Sequence, residues 1–156
     1  MGVKHYSVET YHVENSIGYL LQQVRTCLGD TLNDELADLG ISWAQWKVLI
    51  RIHFGDKPTS ANLCRGLEMD TGSMTRMLDR LEEKGLISRN RCIHDRRVIY
   101  LALTDAGRAM VPDMLEAVVT VLNDLLEDFS VEEVELFKSM IRRILANAEK
   151  RPKPQD

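Results

Sequence analysis

Two adjacent arginines, Arg96 and Arg97, end a short basic segment in a chain that is acidic as a whole. From Lys84 to Arg97 there are five cations and a single carboxylate, Asp95, so this segment carries a charge of +4. The remainder carries −8, which gives the whole chain a formal net charge of −4. Guanidinium groups bind phosphate, and they also fit the negative potential of a narrow DNA minor groove. A concentrated basic segment on an acidic body therefore indicates a local contact with a polyanion, and a solvated basic loop is the alternative.

The two arginines lie between two short stretches of β pattern. Residues 86–91 are the first strand candidate. Residues 98–103 are the second, and there apolar or aromatic side chains occupy both alternating sets. Such a strand is expected to be covered on both faces. The residues CIHDRR, 92–97, then form the tip of a β-hairpin.

The segment just before this hairpin, residues 72–84, has the pattern of an amphipathic helix. Its apolar stripe consists of Met74, Met77, Leu78 and Leu81. The opposite face is small and polar around Arg76 in its first half and acidic in its second half. A helix that enters the DNA major groove contacts bases with its N-terminal residues, so this division favours a recognition helix over an ordinary surface helix. The acidic residues expected to point away from phosphate are Asp79, Glu82 and Glu83.

Helices account for most of the chain. Apolar periodicity and capping residues predict helices over residues 13–39, 43–54, 61–67, 72–84, 105–129 and 131–148. A bend is expected near Gly29, and Pro112 should kink the fifth helix near its first turns. With the hairpin after the fourth helix, the order predicts a mainly α protein with a small β-hairpin wing. We expect a winged helix-turn-helix lobe at 41–104, flanked by a helical dimerisation region at 1–40 and 105–156.

Composition and motifs argue against several other classes of protein. The chain has no apolar run near the ~20 residues of a membrane helix, and its N-terminus lacks a signal peptide's apolar core. We therefore expect a cytoplasmic protein that does not bind membranes. The three cysteines are widely spaced, and no phosphate-binding, dinucleotide-binding or hydrolase motif occurs. His12-Val13-Glu14 is only half of a zinc deaminase signature. No catalytic residue, metal or cofactor is expected.

Residues 78–107 carry a specific combination of motifs. A D-x-R motif stands as Asp95-Arg96-Arg97, and it is followed by L-T-x-x-G, which is Leu103-Thr104-Asp105-Ala106-Gly107. With the order of helices over nearly the whole chain, these motifs resemble the multiple-antibiotic-resistance regulator (MarR) family. The resemblance implies a homodimeric regulator that reads a pseudo-palindromic, double-stranded operator DNA. Such regulators are usually repressors that a small ligand releases.

The resemblance also implies roles for single residues. Arg97 would be the minor-groove arginine, with Arg96 beside it at the wing tip. Asp95 would position the wing by pairing with a nearby arginine. The positions at which family members contact bases are Ser73, Thr75 and Arg76, and Thr71 stands at a phosphate-contacting position. The first helix and the last two would form the dimer interface.

The residues themselves also favour a dimer. Apolar residues recur along the last two helices in numbers that two lone helices cannot bury. They are Met110, Met114, Val118, Val121, Leu125, Val134, Phe137, Met140, Ile141 and Ile144. Because the first helix adds an apolar stripe of its own, we expect a closed two-fold dimer. The alternative is that these helices pack on the winged lobe and give a monomer.

The family resemblance further implies a small aromatic acid or phenol as inducer, bound where the first two helices meet the winged lobe. Candidate ligand-binding residues are Tyr11, His12, Tyr19, Trp43, Trp46, Arg51 and His53. Aromatic rings supply flat apolar walls, and His or Arg can bind a carboxylate by a charge-assisted hydrogen bond. The alternative is that Trp46 and Tyr19 are core residues and that His53 caps a helix end.

Two other functions stay open. A thiol-based redox sensor on the same fold would use Cys92, because Arg91, Arg96 and Arg97 favour its thiolate. Cys27 and Cys64 are expected to be small core residues. The family's oxidant-sensing members carry their cysteine near the start of the first helix, where this sequence has none. A helical adaptor without specific DNA binding is the other alternative.

Overall fold

The computed structural model describes residues 4–93 and 98–151 of the chain. Seven α-helices and two strands follow one another in these ranges. Their bounds are α1 Ile17–Ala37, α2 Trp43–Phe54, α3 Ser60–Leu67, α4 Thr71–Glu83, β1 Ile87–Arg91, β2 Ile99–Leu103, α5 Asp105–Ala109, α6 Val111–Asp124 and α7 Val131–Glu149. The predicted mainly α fold with one β-hairpin is confirmed. The hairpin follows α4, as in a winged helix-turn-helix.

Side-chain caps explain why most helices begin where the sequence predicts. In α2 the Ser42 hydroxyl accepts from the Gln45 amide while the Gln45 side chain accepts from the Ser42 amide. The same reciprocal capping box opens α7 with Ser130 and Glu133. The predicted start of the first helix at residue 13 is wrong. Val13–Asn15 forms a 3-10 turn, and α1 begins after Ser16, whose hydroxyl accepts from the Tyr19 amide.

The predicted fifth helix is divided and shorter than expected. It is interrupted at Met110, so that α5 ends at Ala109 and α6 begins at Val111. Pro112 accounts for the break, because proline has no amide hydrogen and its ring clashes with the carbonyl four residues earlier. After Asp124 the backbone tightens into turns, with the Leu126 amide donating to the Asn123 carbonyl.

The hairpin is a two-stranded antiparallel sheet in which Ile87 pairs with Leu103 and Arg91 with Ile99. On β2 the side chains of Leu101 and Leu103 are buried on one face, and those of Tyr100 and Ala102 on the opposite face are half-buried. The expected covering of this strand is therefore complete on one face and partial on the other. Its buried positions alternate, as in an antiparallel sheet that packs one face on a core.

The core lies beneath α4 and the hairpin. Its largest fully buried side chains come from α1, α2, α4 and α6: Leu32, Leu36, Val48, Leu49, Met74, Leu81 and Met114. Leu86 and Ile87 extend this core to the base of the hairpin. Because α4 and the hairpin both pack on this core, the core holds their outer faces in fixed positions.

The chain divides into two compact units, residues 1–119 and 120–156. The winged helix-turn-helix lies wholly in the first unit, and the three-part division expected from the sequence stays a prediction. The second unit contains the end of α6 and all of α7, and α7 has no buried residue. No helix within the described ranges has the length and apolar character needed to cross a membrane.

Candidate nucleic-acid interface

The helix-turn-helix is formed by α3 and α4. The turn between them passes through Glu68, which has a left-handed backbone with φ 52°. Asp70 then caps α4, and its carboxylate accepts from the Ser73 amide at 2.9 Å. Left-handed geometry is uncommon for a side chain other than Gly, Asn or Asp, so the packing of α3 against α4 holds this turn in place.

The N-terminal half of α4 presents a small polar surface. Thr71, Gly72, Thr75 and Arg76 are exposed and Ser73 is half-buried. On the other side of the same helix Met74, Leu78 and Leu81 are buried in the core. The first two turns can therefore approach a surface closely, because no bulky residue except Arg76 projects from them.

Hydrogen bonds along the first turns of α4 arrange these side chains. Arg76 Nη2 donates to Ser73 Oγ at 3.2 Å, and Thr75 Oγ1 donates to the Thr71 carbonyl at 2.8 Å. A Cβ placed on Gly72 would lie 3.7 Å from Arg76 Nη1. The guanidinium of Arg76 thus lies back over the first turn of its own helix.

Asp70 is the acidic group beside this arginine. Hydrogen bonds from Ser73 hold the pKa of the Asp70 carboxyl below its ordinary value, and the positive charge of Arg76 lowers it further. The carboxylate also lies at the N-terminus of α4, where the helix dipole favours negative charge. The recognition helix therefore begins with a carboxylate and a guanidinium that both hydrogen bond to Ser73.

The hairpin is tied to the second half of α4 by a forked ion pair. Arg89 of β1 donates from Nη2 to Asp79 Oδ1 at 2.6 Å and from Nη1 to Glu82 Oε2 at 2.5 Å. The pKa of Arg89 is raised, first by its hydrogen bond to Asp79. We call these three residues the wing clamp. They fix β1 against the recognition helix at two points one turn apart.

The clamp uses one cation of the basic segment inside the fold. Arg89 is one of the five cations of that segment, and its partners Asp79 and Glu82 are two of the acids expected to point away from phosphate. Lys84 is likewise used inside the fold, since its Nζ donates to the Gly40 carbonyl at 2.6 Å and to Gln45 Oε1 at 3.1 Å. Two of the five predicted cations are therefore bound within the protein.

The remaining cations of the segment are Arg91, which is exposed at the end of β1, and the two wing-tip arginines. The predicted wing-tip residues Asp95, Arg96 and Arg97 lie outside the described residues. The predicted pairing of Asp95 with a nearby arginine lies there too. Near the outer end of the described hairpin, the Cys92 amide donates to the Val98 carbonyl at 2.9 Å.

The L-T-x-x-G motif closes the base of the wing. Thr104 Oγ1 donates to the Gly85 carbonyl at 2.6 Å and accepts from the Gly107 amide, which caps α5. A Cβ on Gly107 would collide with the Leu86 carbonyl oxygen. Position 107 therefore requires glycine because the backbone of α5 approaches the residue before the first strand this closely.

The seven predicted ligand-binding residues do not share one cavity. Trp43, Trp46 and Arg51 line a groove between α2 and α3. His53 lines a separate cavity behind the hairpin. The other three, Tyr11, His12 and Tyr19, precede or begin α1 and are exposed.

The cysteines differ from expectation at one position. Cys27 is exposed on α1, so its prediction as a core residue is wrong. Its position beside the apolar stripe suggested burial, but most of that stripe is itself exposed in this part of α1. Cys64 and Cys92 are half-buried.

Comparison with known proteins identifies this arrangement. The MarR family model matches residues 41–99, which span the helix-turn-helix and most of the wing. An uncharacterised HTH-type transcriptional regulator of Bacillus subtilis (strain 168), YdgJ, is 29% identical over 134 residues, or 86% of this chain and 80% of that protein.

Solved structures agree over almost the same length. A MarR variant from E. coli, crystallised with operator DNA, is 30% identical and superposes with a TM-score of 0.77 over 86% of this chain and 99% of that one. The transcriptional regulator PA3341 is 32% identical, with a TM-score of 0.78 over 87% of this chain and 100% of that one. With its helix-turn-helix, clamped wing and L-T-x-x-G closure, the chain belongs to the MarR family of transcriptional regulators.

Proposed function

We propose that this protein binds a pseudo-palindromic, double-stranded operator DNA as a homodimer and represses transcription until a small aromatic acid or phenol releases it. The observation that carries the DNA part is the exposed, small and polar N-terminal half of α4, held beside a clamped hairpin. The likeness to MarR supports it, because the MarR variant with 99% of its chain covered was crystallised on operator DNA.

In the proposed complex, α4 enters the major groove with its first two turns. Arg76 is the long donor of this surface and suits the acceptor edge of guanine, while Ser73 and Thr75 contact neighbouring bases. Thr71, at the start of the helix, contacts phosphate. The wing places Arg97 in the adjacent minor groove, with Arg96 next to it.

Fluorescence anisotropy with operator fragments selected from the source genome tests this proposal at fixed salt. Arg97→Ala should cost roughly 1–3 kcal/mol of operator binding. Arg76→Ala should also relax the preference for one base sequence, since a base contact is lost. Arg25→Ala, an exposed arginine on α1, serves as the control. Unchanged affinity in both test variants would refute the assignment of the DNA contacts.

The dimer part of the proposal is supported by apolar residues that the single chain leaves exposed. On α1 these are Ile17, Leu20 and Val24, and on α7 they are Leu136, Phe137, Met140, Ile144 and Leu145. Exposed apolar surface of this extent marks an interaction site. A two-fold dimer would also match a pseudo-palindromic operator, because each protomer would read one half-site.

The inducer part rests on aromatic and cationic side chains near α1 and α2. Calorimetry with a panel of aromatic acids and phenols, in the presence and absence of operator, tests it. Because binding linkage is reciprocal, a ligand that weakens operator binding must itself bind more weakly to the DNA complex by the same factor. Compounds that bind without changing DNA affinity would contradict an inducer role and leave DNA binding untouched.

A further inference from the structure

We infer that Lys84 is a positioning residue for operator recognition. It holds the recognition helix α4 at a fixed angle to α1 and so determines which spacing of half-sites the dimer accepts. This deepens the proposed function and rests on the dimeric operator complex proposed above. Lys84 is the C-cap of α4, at the opposite end of this helix from the proposed base-contacting side chains. It acts through α4 and needs no contact of its own with a base.

The Lys84 ammonium bonds to two acceptors at the corner between α1 and α2. Its Nζ donates to the Gly40 carbonyl at 2.6 Å and to Gln45 Oε1 at 3.1 Å. Gly40 lies in the turn after α1, where its backbone is left-handed with φ 68°. Gln45 is buried, and its Oε1 also accepts from the Ser42 amide in the capping box of α2. The turn and the capping box therefore hold both acceptors in place.

The helix that ends at this corner passes from the winged lobe to the proposed dimer surface. In its first half α1 exposes the apolar residues Ile17, Leu20 and Val24. In its second half Leu32 and Leu36 are fully buried in the core, and Asn33 Oδ1 accepts from the Trp43 amide at 2.8 Å. The same helix thus carries apolar surface for a partner protomer and a fixed attachment to the lobe. Lys84 joins the recognition helix to the attached end.

The residue after Lys84 bonds to a further element. The Gly85 carbonyl accepts from Thr104 Oγ1 at 2.6 Å, and Thr104 is the N-cap of α5. The last turn of α4 is therefore hydrogen bonded both to the corner between α1 and α2 and to the start of α5. Directional bonds of this kind fix an angle, which apolar packing alone does not, because the hydrophobic effect has no preferred direction.

A tilt at the Lys84 end of α4 is amplified at the end that reads DNA. The helix has 13 residues, which makes it about 20 Å long at about 1.5 Å per residue. A tilt of about 3° at Lys84 would move the first turn by about 1 Å. Hydrogen bonds to bases need donor–acceptor distances of about 2.7–3.2 Å, so such a displacement loses them.

In a dimer this angle determines the distance and rotation between the two recognition helices. A two-fold dimer reads half-sites about one helical turn of DNA apart, so the protein geometry selects a spacing. One added base pair moves a half-site by about 3.4 Å and rotates it by about 35°. Helices held by Lys84 cannot follow this change, whereas helices released at Lys84 can tilt to meet it. Loss of Lys84 should therefore reduce discrimination between spacings.

The test measures operator affinity of the full chain by fluorescence anisotropy at fixed salt on three DNA fragments. They are an operator fragment selected from the source genome and the same fragment with one central base pair inserted or removed. The wild type should prefer the original spacing by at least about tenfold, because a misplaced half-site loses its base contacts. Lys84→Met should lower this ratio of affinities at least about threefold. The charge lost with Lys84 affects all three fragments alike and cancels in the ratio.

A second variant breaks the same link from its other side. Gln45→Met removes one of the two acceptors and leaves the charge of Lys84 in place, so it should lower the spacing ratio by a smaller factor. The double variant should match Lys84→Met alone, because Gln45 acts through Lys84. The control Lys150→Met makes the same substitution at the exposed C-cap of α7 and should leave the ratio unchanged. Lowered ratios in all the variants, the control included, would overturn the role of Lys84.

The outcomes separate this inference from the proposed function. If the wild type binds operator and prefers its spacing, and Lys84→Met and Gln45→Met keep that preference, the inference fails and the proposed function stands. Equal weakening by Lys84→Met on all three fragments would reflect lost charge or stability, and it would also overturn the spacing role. A wild type that binds all three spacings equally would refute the rigid link. A wild type that binds no operator would refute both proposals.

Discussion

Arg76 and Asp70 form a small charged unit at the start of the recognition helix. The Asp70 carboxylate accepts a hydrogen bond from the Ser73 amide, and Arg76 donates one to the Ser73 hydroxyl, so both charged groups are bound to Ser73. The unit orders the first turn of α4 before any ligand is present. A base contact by Arg76 would exchange its bond to Ser73 for bonds to the DNA, and the capped backbone would stay in place.

The lowered pKa of Asp70 predicts a pH dependence of stability. A carboxyl whose folded-state pKa lies below its unfolded value stabilises the fold above the unfolded pKa, and this contribution is lost as the pH falls through the folded pKa. Asp70→Asn keeps an equally good N-cap without the titration. Urea denaturation from about pH 7 to about pH 3 brackets the Asp range. The wild type should lose more stability than the variant over this window, and parallel curves would contradict the assignment.

Two glycines predict opposite effects of the same substitution. Gly107→Ala should destabilise the protein by about 1–3 kcal/mol, because the new Cβ would collide with the Leu86 carbonyl. Gly29→Ala should stabilise it by about 0.5–1 kcal/mol, because Gly29 lies within α1 and, apart from its neighbours and the backbone of its own helix, no atom comes within 4 Å of where the alanine Cβ would stand. Urea denaturation measures both free energies of unfolding. If both substitutions changed the free energy of unfolding in the same direction, the account of the space around Gly107 and Gly29 would be wrong.

At the scale of elements, the wing clamp determines how the hairpin stands on the recognition helix. The two acids are three residues apart on α4, so they lie on one face, and Arg89 reaches both from β1. An ion pair this exposed contributes little to global stability. We expect the clamp to set the orientation of the hairpin relative to α4, because the wing and α4 must reach neighbouring grooves of the same DNA.

A double-mutant cycle tests the clamp. Arg89→Met should lower operator affinity by up to about 1–3 kcal/mol, the value of the minor-groove contact that the clamp positions. If the clamp acts through the wing, Arg89→Met combined with Arg97→Ala should bind about as weakly as Arg97→Ala alone. Arg89→Met combined with Arg76→Ala should show additive losses, because α4 keeps its own contacts. Additivity in the first pair would mean that Arg89 does not act through Arg97.

At the scale of the whole molecule, charge and apolar surface are unevenly distributed. The basic residues of the wing contrast with the acidic remainder of the chain, so long-range attraction favours a polyanion at one part of the surface. Apolar residues are exposed on α1 and α7. In α6, by contrast, Met114, Val118 and Val121 are buried within the chain itself. The predicted surplus of apolar surface therefore comes from α1 and α7 more than from α6.

Sedimentation at micromolar concentration tests the dimer. The wild type should sediment at twice the monomer mass of 17.8 kDa. Phe137→Glu places a charge in the exposed apolar face of α7 and should shift the protein toward monomer. Lys138→Ala alters the adjacent exposed position and should not. A wild-type species at the monomer mass would refute the homodimer.

The sequence by itself determined the order of elements and most of their bounds. Helical periodicity and capping residues act within one or two turns, so Ser42 and Ser130 can be recognised as helix starts without any tertiary contact, and the start of α4 can be narrowed to Asp70 or Thr71. The L-T-x-x-G and D-x-R motifs carried the family for the same reason, because their residues are close together along the chain. The exposed first half of α4 also followed from its pattern.

Only the tertiary structure decided which side chains meet. A periodic pattern defines the face of a helix but not the partner of that face. The pairing of Arg89 with Asp79, the contact of Lys84 with the Gly40 carbonyl and the approach of Gly107 to Leu86 all depend on how separate elements pack. The same holds for the ligand candidates. Trp43, Trp46 and Arg51 lie on one helix, and the sequence places them together. That α3 forms the other side of their groove, and that His53 lines a different cavity, follows from the packing of the helices.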